Sequence, residues 1–138
     1  MSLPGCGTSI RLEAGPVAVR EASAVGTVMA RTTQELLYEN TVQVIHVMIV
    51  DVGEDNFADA LSSVSDQLRE RGWVENSVGP THLDMSSTKW EEVHLRAGFP
   101  SLLPSFPAEK HADIRKALKD TVDGTYAYPM IELIKSNP

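Results

Sequence analysis

The strongest periodic signal in the chain lies between Thr41 and Val52, a run rich in Val and Ile that reads as a β-strand. Val42, Val44, Met48, Val50 and Val52 point one way, with His46 among them; Ile45, Val47 and Ile49 point the other way. A strand that is apolar on both faces is covered on both faces. The pattern then changes period. Gly53-Glu54-Asp55 breaks the strand, Asn56 is placed to cap a helix, and Phe57, Ala60, Leu61, Val64 and Leu68 recur at helical spacing. Arg69 and Arg71 fall in the last turn, and Gly72 stands where a helix ends.

The remaining segments are weaker. Trp73 and Val74 lead into a turn-rich stretch at 75–80, and 81–85 alternates as a strand. Residues 89–97 fit two readings. Val93 and Leu95 alternate with Glu92, His94 and Arg96, which suits a strand after a turn at Ser86-Ser87-Thr88; Thr88-x-x-Glu91 and Gly98 would instead bracket a short helix. Three prolines interrupt 99–107, Ser105 is placed to cap a helix running to about Asp120, and 126–134 is apolar. Pro129 within that last strand points to a sheet edge. Before Thr41, residues 10–12 and 17–20 read as short strands split by Gly15-Pro16. Residues 24–40 divide between strand character at 25–28 and a capping box, Thr32-x-x-Glu35, that would start a helix.

From Thr41 the order is strand, helix, strand, strand, helix, strand, the split βαβ arrangement called ferredoxin-like. The expected fold is therefore α+β, with a βαββαβ core over 41–135 and an N-terminal extension over 9–40 of short strands, with or without a helix. Residues 1–8 read as a flexible lead to a single domain over 9–138. The alternative is another two-layer α+β sandwich with a short helix at 89–97. A ferredoxin-like sheet has helices on one side only, yet the 41–52 strand is apolar on both. Leaving three such side chains in water forgoes about 5–8 kcal/mol. The first forty residues or the sheet of a second copy would have to cover them, and a homodimer is expected.

Composition narrows the function classes. The 138 residues suit one domain, and 42% apolar with 22% charged residues is globular composition. The net charge of −7 argues against a general nucleic-acid binder, because phosphate contact needs a cationic face. No stretch reaches the ~18 apolar residues of a membrane span. The lone Cys6 excludes an internal disulfide and the usual zinc spacings, and without an export signal the expected location is the cytoplasm.

Candidate chemistry is sparse. There is no Gly-x-Ser-x-Gly elbow and no Gly-rich phosphate loop. His82-x-Asp84 puts two polar groups on one side of a strand but lacks a third ligand. Glu91-x-x-His94 has the spacing of a di-iron half-site only if it lies on a helix, and it occurs once. No metal and no cofactor are expected. His46 on a face of valines, and His111 with Ile114 and Leu118, can open onto a ligand cavity between sheet and helices. Phe99, Leu102, Leu103 and Phe106 can form its apolar lip. Asp55, Asp59, Asp66 and Glu70 line one side of the 56–71 helix, as a solvated face or a docking surface for a basic partner. The absence of a convergent acid, base or metal favours a small, acidic, soluble, non-enzymatic interaction module that self-associates; the alternative is a small-molecule binder or enzyme with that cavity.

Overall fold

The computed structural model describes residues 10–98 and 127–136. In chain order the elements are β1 (Ile10–Leu12), α1 (Pro16–Ser23), β2 (Thr27–Tyr38), β3 (Thr41–Asp51), α2 (Phe57–Glu70), β4 (Val74–Val78), β5 (His82–Ser86), β6 (Val93–Gly98) and β7 (Met130–Lys135). The fold is mixed α+β, with two helices and one strand-rich, seven-stranded sheet among the described residues. β2 runs antiparallel along one edge of β3 for its full length. The other edge of β3 is shared. β7 pairs antiparallel with 46–49, and β1 pairs parallel with 41–43. β6, β5 and β4 follow β7 in that order, all antiparallel.

This strand order is not ferredoxin-like. β7 lies between β3 and β6 rather than at an edge, because β2 already fills the opposite flank of β3. Pro129 does not forbid the central place. It precedes β7, where its missing N–H costs little, and its carbonyl accepts from the Val50 amide at 3.1 Å.

The first forty residues differ most from expectation. Residues 16–23 are a helix, not a short strand at 17–20: Gly15 occupies the N-cap, Pro16 opens the first turn, and Ala18 and Ala22, four apart, are fully buried. Residues 27–38 are one long strand rather than a helix from Thr32, because pairing with β3 satisfies the backbone groups of its inner edge along its whole length. Gly26 makes that entry possible. A Cβ there would lie 2.3 Å from the Asp51 carbonyl oxygen, so only glycine lets the chain start β2 against the end of β3. β4 was hidden in a polar stretch; as an edge strand with all five residues exposed it needs no apolar face. Residues 93–98 take the strand, not the short helix. The expected helix at 105–120 lies outside the described residues.

α2 begins where its cap places it: the Asn56 side chain accepts from the Asp59 amide at 2.9 Å. α2 ends before Gly72, whose φ of 96° suits glycine. Both described helices pack on one face of the sheet. Ala14, Ala18 and Ala22 join Leu61, Val64 and Leu68 over Met48, Leu95 and Leu133. On the other face Ile45, Val47, Ile49, Tyr128 and Met130 form a second buried cluster. β3 is thus buried on both sides, as its pattern requires. Residues 10–40 do not supply the second cover, since β1 and β2 extend the sheet and α1 joins α2. Among the described residues, no helix is long and apolar enough to cross a membrane.

Candidate functional site

The shared edge of β3 creates a cavity on the helix side of the sheet. β7 takes over the lane after Leu12, so the chain must leave the sheet there, and it rises onto the helix face before Pro16 starts α1. That exit lifts Glu13 over His46. His46 alternates with Val44 and Met48 on the helix side of β3, and its Nε2 lies 2.9 Å from Glu13 Oε2. β2 brings Thr33 opposite His46 and Arg31 opposite Met48. Between these strands and α1 opens a cavity of about 780 Å³, lined also by Ala14, Val19 and Arg20. Its size falls within the range of small-molecule sites.

The electrostatics of the cavity are uneven. Glu13 is held from two sides, by His46 and by Arg11 Nε at 3.1 Å. An ionised carboxylate only accepts, so the neutral His46 ring carries its proton on Nε2 and its lone pair on Nδ1. Arg11 also reaches Glu35 at 3.6 Å. Arg20 and Arg31, by contrast, form no side-chain ion pair or hydrogen bond among the described residues. Two uncompensated guanidinium groups therefore border a cavity with an apolar floor, in a chain whose net charge is −7. The arrangement can bind an anion and orient a proton-carrying group; among the described residues no Ser or Cys lines the cavity.

Of the candidate site residues that lie among the described residues, His46 alone lines this cavity. His111, Phe99, Leu102, Leu103 and Phe106 lie outside the described residues. His82 and Asp84 share a side of β5 but bond elsewhere, His82 with Ser77 at 3.0 Å and Asp84 with Arg96 at 3.2 Å. Glu91 lies in a turn and His94 in β6, where His94 is held between Ser86 and Ser136. The acidic row is exposed as expected, with Asp55 ahead of α2 and Glu70 at its end. Asp59 accepts from the Asn56 side chain, and Asp66 is paired with Arg69. Among the described residues no cluster of three or more His, Cys, Asp or Glu is placed to hold a metal.

Glu13, Arg20, Arg31 and Thr33 escaped the sequence reading. The available signals were the Gly15-Pro16 start with Ala18 and Ala22 behind it, and the alternation of Arg31, Thr33 and Glu35 on one side of a strand. Comparison with protein-family models, curated proteins and solved structures gives no match.

Proposed function

We propose that the protein binds a small organic anion in the cavity between α1 and the β2–β3 hairpin. The observation that carries this reading is the pairing of a cavity of about 780 Å³ with two guanidinium groups that, in the single chain and among the described residues, form no ion pair with a carboxylate. Arg20 and Arg31 supply the charge recognition and Thr33 a hydroxyl. Val19, Met48 and Ala14 receive an apolar body. The Glu13–His46 pair fixes one wall and selects against a second carboxylate near it. Self-association, the other expectation from the sequence, would use the outer edge of β2, the strand that also supplies Arg31 and Thr33 to the cavity.

The test is a thermal-shift and calorimetric titration with benzoate, hexanoate and phenyl phosphate, with benzyl alcohol as the uncharged match. A ligand at about 100 times its dissociation constant stabilises by about 2.7 kcal/mol, a shift of several degrees. Arg20→Ala and Arg31→Ala should each weaken binding roughly ten-fold or more. Equal binding of benzyl alcohol and benzoate, or anion binding that survives both substitutions, would overturn the proposal. So would a panel in which no anion binds.

A further inference from the structure

The two outer strands of the sheet are built differently. β4 is five residues long, has a register shift between Glu75 and Ser77, and presents Glu75 and Asn76. Those are the features that keep an edge from recruiting another chain. β2 is 12 residues long and contains no proline and no lysine; its one irregularity falls between Val28 and Ala30, at the start. Among the described residues no strand pairs with its outer edge. The strand is exposed over much of its length: Arg31, Thr33 and Glu35 are exposed, as are Leu36 at 45% and Leu37 at 73%. The regular, bulge-free part of β2 is a template for strand pairing.

We infer that two copies of this chain associate through β2, antiparallel across a two-fold axis at Thr33, to form one continuous sheet. The occupant is a second copy because β2 is complementary to itself in this register. A two-fold pairing of antiparallel strands has its axis normal to the sheet, so residues on the same face meet. With Thr33 on the axis, Arg31 stands opposite the partner's Glu35, and Glu35 opposite the partner's Arg31. On the other face Ala30 meets the partner's Leu36, and Gln34 meets the partner's Thr32. Charge meets opposite charge, apolar meets apolar, and amide meets hydroxyl. Moving the axis to Thr32 or Gln34 sets Arg31 against the partner's Thr33 or Leu37 and destroys the match. Directly opposed side chains lie about 4.5–5.5 Å apart at Cβ, within ion-pair reach for Arg and Glu.

The register has a consequence for the helix face. Arg31 and Thr33 line the cavity, and both copies present that face on the same side of the joined sheet. The two cavities then flank the axis, and each receives the partner's Glu35 at its rim. In the single chain Glu35 contacts Arg11, with both side chains more than half exposed, so Glu35 is available to bridge the two arginines.

Sedimentation equilibrium on the full chain tests the pairing without any ligand. The wild type should be dimeric at about 100 μM. Arg31→Glu and Glu35→Arg should each weaken the dimer by about 5- to 100-fold, since each sets two like-charge pairs across the axis. The double variant should recover the wild-type association. Circular dichroism identifies any variant that has lost its fold. A covalent test does not depend on those variants: in a Cys6→Ser background, Thr33→Cys should form an intermolecular disulfide under mild oxidation. Cα atoms of opposed residues lie about 4.5–5.5 Å apart, inside disulfide range. Leu37→Cys, remote from its own copy in this register, should not cross-link. A monomeric wild type, a dimer that tolerates both single charge reversals, a folded double variant that stays monomeric, or cross-linking at Leu37 rather than Thr33 would each overturn the inference.

Discussion

Glu21 ties α1 to the rest of the molecule, and its removal should cost more than a surface ion pair. Its side chain is only 13% exposed. One carboxylate oxygen accepts from the Trp73 indole N–H at 2.8 Å, and the other accepts from Lys89 at 2.9 Å. Trp73 is buried, its ring lies 6.5 Å from that of Trp90, and Lys89 sits 5.6 Å from the Trp90 ring. Glu21→Ala leaves the Trp73 N–H without this acceptor inside the core, which costs about 1–3 kcal/mol. Lys89 is half exposed, so the lost ion pair adds only about 0.5–1 kcal/mol. The expected loss is about 1.5–4 kcal/mol, against about 0.5–1.5 kcal/mol for Glu21→Gln, which keeps an acceptor for Trp73.

The same carboxylate makes a pH signature. Burial alone would raise its pKa, but the Lys89 and Trp73 hydrogen bonds outweigh burial and hold it below the ordinary value. A carboxyl with a depressed pKa contributes stability that is present above its unfolded value, about 4.3, and is lost as the pH falls through the folded value. Urea denaturation followed by tryptophan fluorescence, from pH 7 down through the carboxylate range, reads both effects. A Glu21→Ala midpoint equal to wild type would refute the reasoning. An acid dependence unchanged in Glu21→Gln would refute the electrostatic part alone.

Other substitutions probe separate contacts by the same denaturation assay. Leu68→Ala, at a fully buried position of α2, should lose about 2–5 kcal/mol. Asn56→Ala removes the side-chain cap on the Asp59 amide and should lose about 0.5–2 kcal/mol, with the first turn of α2 exchanging faster in amide hydrogen exchange. Glu132 has the opposite sign to Glu21. Burial raises its pKa, and Arg96, its neighbour on β6, only partly offsets this. Stability is then fullest below the unfolded pKa and declines as the pH rises through the folded one, so Glu132→Gln should unfold at higher urea than wild type at pH 7.

β3 and α2 were legible because their patterns span more than ten residues and their apolar positions agree with their pairing and packing. Asn56 and Gly72 were legible because each end of α2 needs a specific local chemistry. α1 was not. It is eight residues long and buries alanines, which leave a weak periodic signal, and Gly15-Pro16 reads equally as a turn or as a helix start. β2 mixes exposed Leu36 and Leu37 with polar residues, so period alone misleads; its strand form is set by β3 alongside it. The cavity was legible only at His46, since its other walls come from a turn, a short helix and an ambiguous strand.

The order of the sheet explains why those misread residues carry both proposed surfaces. A core starting at β3 would leave that strand, buried on both faces, with one edge open along its length; β2 closes the edge and becomes the new edge itself. The side of β2 that turns toward the helices is polar because no helix covers it fully, and there Arg31 and Thr33 meet the cavity that β1 opens by leaving the sheet. In the proposed assembly the strand answers to three neighbours at once: β3 through its inner backbone edge, the cavity through Arg31 and Thr33, and a second copy through its outer edge. A substitution at Arg31 bears on two of these, whereas one at Arg20, on α1, bears on the cavity alone. Anion affinity that falls in both variants, with association falling only in Arg31→Glu, is the pattern that separates the two roles.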